Sequence, residues 1–265
     1  MFYGGSLWIQ TKLQYLSMGH FFIKRALSIF GPIEPDKLAD KLWSYSLRHI
    51  YPFHDKKWED LSKKEKDLRE TSDFHYALDH LYRIFFYDCP PLQKKMHHPL
   101  TNQCIDFAKS DRAKWRLSFH EALRKKRKVA LRLGVMDEAN CSWTIIPSKI
   151  KLLYQHKITI DDLTENDYVL TTHQKGVDMR IGIDIASVAY KKQASKMVLI
   201  SGDSDFVPAA KLARREGVDF ILDPMHASIK SDLHEHIDGK HTVFPKPAPK
   251  NKNKSDKTTT PSASQ

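Results

Sequence analysis

The sequence of 265 residues is 41% hydrophobic and carries a formal net charge of +11. This length suits one full-sized domain and is too short for two large ones, and the ordinary apolar fraction excludes a chain that is disordered throughout. Three widely spaced cysteines, Cys89, Cys104 and Cys141, argue against a disulfide framework and favour a reduced, cytoplasmic protein. No apolar run reaches the ~18 residues that a transmembrane helix needs, so no membrane partner is expected.

The hydrophobic pattern predicts strands that alternate with helices along the chain. Strands are predicted at residues 12–17, 81–87, 129–133, 143–146, 168–170, 196–201 and 218–222, of which 143–146 and 168–170 form a hairpin or an inserted loop. Helices are predicted at 21–30, 35–50, 106–126, 176–190, 206–216 and 227–236, and the charged residues 53–70 as a surface loop or an exposed helix. Short apolar strands joined by helices indicate an α/β fold with a mainly parallel sheet and helices on both faces.

Two segments supply the excess positive charge. Residues 109–132 contain ten basic and two acidic residues, and residues 246–265 contain five lysines and one aspartate. Such segments attract polyanions such as RNA or DNA through their phosphates, although a solvated helix face and a solubilising tail would have the same composition. The basic run at residues 125–128 lies in the first segment and is predicted to be exposed.

The strongest motif is MVLISGDSDF at residues 197–206, where an apolar strand runs into two carboxylates. Sites of parallel sheets form at the carboxyl ends of the strands, and Gly202 permits a tight turn there. Asp203 and Asp205 can approach one cation if the turn is compact, and carboxylate oxygens suit Mg²⁺ or Mn²⁺. Two structural interpretations stay open, with Asp205 as a helix cap and Asp203 as an ordinary turn aspartate.

A second acidic position opens the preceding helix. The segment Gln174–Asp178 reads QKGVD, and the helix dipole favours Asp178 there whatever its function. This segment is weak evidence alone, but its combination with a helix to Tyr190 and a strand that runs into SGDSDF is far more specific. Asp184 lies six residues after Asp178, so it points about 240° away around the helix and is predicted to be structural.

This combination resembles the NYN domain, a branch of the PIN-like nucleases related to the LabA-like proteins. The resemblance covers roughly residues 21–220 and also includes IFFYD at 84–88, LRLG at 131–134 and KGVDMRIGID at 175–184. It implies a Rossmann-like, three-layer αβα domain of the PIN-like type.

The resemblance and the composition of the two ends together give the domain bounds. The domain is assigned to residues 21–244. An atypical N-terminal segment at 1–20 precedes it, and a disordered basic tail at 245–265 follows it.

The same resemblance implies a metal-dependent ribonuclease that hydrolyses RNA. Asp178, Asp203 and Asp205 would hold one or two Mg²⁺ or Mn²⁺ ions, which activate water and offset charge on the scissile phosphate. Substrate contacts are assigned to Ser201, Lys175 and Asp88. The serine would bind a ligand or phosphate, the lysine the RNA backbone, and Asp88 would lie at the rim. A homo-oligomer is left open as a further partner.

The first strand departs from the family pattern. The family places an aspartate at the end of this strand, in a segment like DGGFFIKR, whereas residues 18–25 read MGHFFIKR. No acidic residue precedes Glu34, and the Met18 thioether is a poor ligand for Mg²⁺. Two explanations stay open. The chain is either a degenerate member that binds RNA without cleaving it, or residues 1–18 have been replaced by a frameshift, recombination or gene-model error.

Overall fold

The computed structural model describes residues 12–50 and 62–247. Its helices are α1 (Gly19–Phe30), α2 (Pro35–Arg48), α3 (Lys63–His80), α4 (Asp111–Arg124), α5 (Pro147–Tyr154), α6 (Val177–Tyr190), α7 (Val207–Arg215) and α8 (Ser231–Glu235). Its strands are β1 (Leu13–Met18), β2 (Leu81–Asp88), β3 (Lys95–His97), β4 (Cys104–Asp106), β5 (Val129–Leu133), β6 (Val135–Met136), β7 (Ser142–Ile145), β8 (Tyr168–Thr171), β9 (Gln174–Lys175), β10 (Lys196–Ile200), β11 (Asp219–Asp223) and β12 (Gly239–Lys240). Helices separate β1, β2, β5, β10 and β11 along the chain, as the hydrophobic pattern predicts.

The main sheet has six strands in the order β12-β11-β10-β1-β2-β5, and every neighbouring pair is parallel. The chain proceeds from β1 through β2 to β5 on one side and from β10 through β11 to β12 on the other. The strand order therefore reverses between β1 and β10. Open α/β sheets bind their ligands at such a reversal, beyond the carboxyl ends of the strands. The predicted mainly parallel αβα fold is confirmed.

Two apolar cores lie on opposite faces of this sheet. In β2, Phe85 and Tyr87 pack with buried residues of α6 and α7, whereas Ile84 and Phe86 pack with α1, α2 and α4. Successive side chains of a strand point to opposite faces, so a strand that is covered on both sides must be apolar at every position. This requirement explains the apolar runs at residues 84–87 of β2 and 197–200 of β10.

β1 lies in the middle of the sheet, between β10 and β2. Residues 13–18 are thus integrated with the core, although the predicted domain begins at residue 21. Residues 1–11 of the N-terminal segment and 248–265 of the basic tail lie outside the described residues, so the predictions for them stay predictions. The described chain has no helix long and apolar enough to cross a membrane.

Two predicted helices are shorter in the structure. The helix predicted at 106–126 begins only at Asp111, because the Ser110 hydroxyl caps it by accepting a hydrogen bond from the Ala113 N–H at 3.2 Å. The helix predicted at 227–236 is wrong in length, since α8 has five residues. Met225 and His226 have φ angles of 47° and 62°, and this left-handed backbone forms a turn before the helix. The predicted hairpin is confirmed as the antiparallel pair β7–β8.

Candidate functional site

Three carboxylates lie near one another at the carboxyl edge of the sheet, beside the reversal of strand order. Asp203 and Asp205 follow β10, and Asp178 lies in the first turn of α6. All three side chains are largely exposed. Partial burial raises the pKa of Asp178, and the nearby charges of Asp203 and Asp205 raise it further. The structure therefore brings the predicted acidic residues into one electrostatic cluster.

Hydrogen bonds to the backbone fix the acidic turn at residues 201–205. The buried Ser201 hydroxyl accepts a hydrogen bond from the Asp203 N–H at 3.1 Å. Asp203 Oδ1 in turn accepts one from the Asp205 N–H at 3.2 Å, which caps the short 3₁₀ turn Ser204–Phe206. The capping role that the sequence left open for Asp205 is wrong, because α7 begins after Phe206 and has no side-chain cap. The Asp205 carboxylate makes no hydrogen bond or ion pair within the described chain.

Met18 ends β1 at the reversal of strand order, where the resemblance expects an aspartate. Its Sδ lies 3.2 Å from the Ser201 hydroxyl, which donates to it. The side chain is half-buried and packs against the core beneath α6 and α7. A thioether therefore occupies the position beside the acidic turn where the resemblance expects a carboxylate.

The acidic residues fit a hydrated divalent cation better than a cation enclosed by protein ligands. Among the described residues, no three histidine, cysteine, aspartate or glutamate side chains are grouped closely enough to hold a metal ion. Mg²⁺ usually keeps several waters and uses one or two carboxylates, which Asp178, Asp203 and Asp205 can supply. A cation would also relieve the repulsion that contributes to the raised pKa of Asp178. The donor set thus fits such an ion without forming a closed cage.

Asp88 has a different environment from the one predicted for it. Its side chain is buried, and Oδ2 lies 2.9 Å from Arg116 Nε and 2.7 Å from His120 Nε2, both on α4. On the other side it meets Gly19, where an added Cβ would lie 2.6 Å from the Asp88 Cγ. The carboxylate therefore joins the start of α1 to α4 instead of facing a substrate at the rim.

Lys175 is exposed and forms an ion pair with Asp137, at 2.5 Å between Nζ and Oδ2. Hydrogen bonds from Asn140 and then from Lys175 lower the pKa of Asp137 to about 2. An added Cβ on Gly134 would lie 2.6 Å from the Lys175 carbonyl oxygen, so the LRLG and KGVD segments pack directly together. A contact between Lys175 and RNA stays a prediction.

Asp184 has the structural surroundings that its position on α6 predicts. It accepts a hydrogen bond from the Tyr87 hydroxyl at 3.0 Å and lies 3.3 Å from Arg132 Nε. These contacts tie α6 to β2 and β5. Burial, followed by the charge of Asp184, raises the pKa of Tyr87 well above its ordinary range.

Sequence reasoning missed Arg116 and His120 as the side-chain partners of Asp88. They are four residues apart on α4, so both point from the same side of this helix toward Asp88. That spacing could have signalled a shared partner. Nothing in the local sequence identifies the partner as a strand end 28 residues earlier than Arg116.

Comparison with known families gives one match. Residues 116–238, which are 123 of the 265 residues, match the model of the NYN domain, a family of PIN-like nucleases. The matched range contains Asp178, Asp203 and Asp205 as well as β10, and it ends before β12. No curated protein and no solved structure matches the chain.

Proposed function

We propose that this chain is a ribonuclease of the NYN type that hydrolyses RNA phosphodiester bonds with Mg²⁺ or Mn²⁺ at Asp178, Asp203 and Asp205. The observation that carries the proposal is the convergence of these acids, from two segments of the matched NYN region, at the reversal of strand order. The KGVD and SGDSDF segments favour the LabA-like branch, and the three unpaired cysteines favour the cytoplasm.

The chain itself holds the carboxylates in place. The hydrogen bonds of Ser201 and Asp203 to the turn backbone fix the direction in which the acidic turn presents its side chains. Lys230 donates a hydrogen bond to the Ser204 hydroxyl at 3.2 Å and adds a positive charge beside the turn, where it would attract a phosphate. When bound, a divalent cation would activate water and offset charge on the reacting phosphate.

The proposal is tested by RNA cleavage in Mn²⁺ or Mg²⁺ with Asp203→Asn. Asparagine caps a helix about as well as aspartate, so this change removes the charge while preserving the turn. We expect the cleavage rate to fall at least ~100-fold, about 2.7 kcal/mol in the activation free energy. Asp161→Asn, another exposed aspartate, is the matched control and should cleave like the native chain. Equal rates for both variants and the native chain would reject the assigned site.

Met18 favours a second function, a non-catalytic RNA-binding or scaffold protein that keeps the fold. With the thioether in place of a carboxylate, the cation would have fewer oxygen ligands at the reversal of strand order. This alternative predicts salt-sensitive RNA binding without cleavage, even in Mn²⁺. Met18→Asp is the matching test. A Mn²⁺-dependent cleavage gained by this variant would show that the native chain lacks one ligand.

A further inference from the structure

A cluster of positive charges lies between the first turns of α1 and α4. His20 and Lys24 are four residues apart on α1, and Arg112 and Arg116 are four residues apart on α4, so each pair shares one helix face. Burial lowers the pKa of His20, and the charges of Arg116, Lys24 and Arg112 lower it further. The four side chains therefore occupy one electrostatic environment, which we call the α1–α4 basic cluster.

The α1–α4 basic cluster is not neutralised by the acid that lies beneath it. The charge of Asp88 raises the pKa of His20, but it is the smallest of the influences on that pKa. The buried Asp88 carboxylate is instead paired with Arg116 and His120. Lys24 and Arg112 are exposed, and neither makes a hydrogen bond or an ion pair with any residue that the structure describes. The cluster thus keeps free positive charge, which an anion would stabilise.

The α1–α4 basic cluster adjoins the acidic turn through the start of α1. Met18 contacts Ser201, and an added Cβ on Gly202 would lie 3.1 Å from the Phe21 ring. His20 lies between these two contact residues in the chain. The first turn of α1 has no acidic residue, so its unpaired N–H groups and the helix dipole add to the attraction for an anion.

We propose that Lys24, Arg112 and His20 bind a backbone phosphate of an RNA strand whose neighbouring phosphate lies at the acidic turn. The identification of the ligand as RNA rests on the proposed function. The positive charge and its place at the carboxyl edge are independent of that function. Arg116 holds Asp88 and positions the cluster, whereas Lys24 and Arg112 supply the exposed donors.

The test measures binding without cleavage. Fluorescence anisotropy with a labelled single-stranded RNA in EDTA gives the association constant at several salt concentrations. We compare Lys24→Ala/Arg112→Ala with Lys109→Ala/Lys114→Ala, a control that removes two exposed lysines of the same basic segment that are paired with Asp106 and Asp111. The loss of one phosphate contact should reduce the slope of log K against log salt by about 0.7, which is the loss expected for the first double variant. The control should keep the native slope.

The outcomes separate this inference from the proposed function. Equal loss of slope in the two double variants, or no loss in either, would overturn the α1–α4 basic cluster as a phosphate site and leave the proposed function standing. Absence of any RNA binding by the native chain would overturn both. A third outcome would reject the RNA strand and assign the cluster to a free anion. In that case inorganic phosphate raises the thermal stability of the native chain but not that of Lys24→Ala/Arg112→Ala, and the RNA slopes of both stay unchanged.

Discussion

Two kinds of carboxylate lie at the same carboxyl edge of the sheet, and they differ in what surrounds them. Asp88 follows β2 and is buried against Arg116 and His120. Asp203 follows β10 and lies exposed, near Asp178 and Asp205. The comparison teaches that the surroundings separate two acids that the sequence presents alike: like charges are held near Asp203, whereas Asp88 is paired with Arg116 and His120.

The largest expected effect is a loss of folding stability when the buried carboxylate, Asp88, is removed. Asp88→Ala removes the partner of Arg116, whose side chain is only 15% exposed, and leaves a nearly buried guanidinium without a compensating charge. We expect a loss of about 3–5 kcal/mol in the free energy of unfolding. Urea unfolding measures this loss, with Asp161→Ala as the exposed control. A loss under about 1 kcal/mol would show that Asp88 is not a structural contact.

The next largest effect on folding stability follows from the close approach of α1 to Asp88. In Gly19→Ala the new methyl group would lie 2.6–2.8 Å from Asp88 atoms, so α1 or the carboxylate must shift. We expect a cost of about 1–3 kcal/mol in thermal or urea unfolding. Gly182→Ala is the control, because no atom lies within 4 Å of its added Cβ, and alanine should stabilise α6 by up to about 1 kcal/mol. Similar costs for the two variants would contradict the close contact.

The smallest expected effect is a change in the pKa of Asp178, one of the exposed carboxylates. The pKa of Asp178 is raised from its ordinary 3.8, first by burial and then by Asp203 and Asp205. Because the folded pKa exceeds the unfolded one, the ionised group costs stability above the folded pKa, and this cost disappears as the pH falls through it. In Asp203→Asn, the Asp178 pKa should move back toward 3.8, with stability changed by less than about 1 kcal/mol because solvent screens exposed charges.

A carboxyl-carbon NMR titration of Asp178 checks this prediction. The matched variant is Asp161→Asn, which should leave the Asp178 pKa where it is in the native chain. An Asp178 pKa that stays equally high in Asp203→Asn would mean that the two carboxylates do not interact, and the acidic cluster would lose its electrostatic basis.

The sequence predicts those features that depend on neighbours along the chain. β10 and α6 follow from apolar periodicity, and the place of Asp203 at the carboxyl edge follows from a strand that runs into a turn. The strands β6 and β9 have two residues each, which is too short for any periodic pattern. The left-handed backbone at Met225 and His226, which forms a turn after β11, also has no glycine to signal it.

The features that sequence reasoning missed depend on contacts between distant segments. Asp88 and Asp203 both follow apolar strands, and only the fold shows that α4 brings Arg116 and His120 to one of them. The cap at the acidic turn also could not be assigned, because Asp203 and Asp205 are both suitable residues and the turn geometry selects the first.

The central claim is that Asp178, Asp203 and Asp205 form one site for a divalent cation. A Mn²⁺ titration followed by the paramagnetic resonance signal of the free ion tests it most directly, without any RNA. We predict that the native chain and Asp161→Asn bind Mn²⁺ alike, and that Asp178→Asn and Asp203→Asn each weaken the binding at least tenfold, about 1.4 kcal/mol. Unchanged Mn²⁺ binding in both of the latter variants would contradict the account.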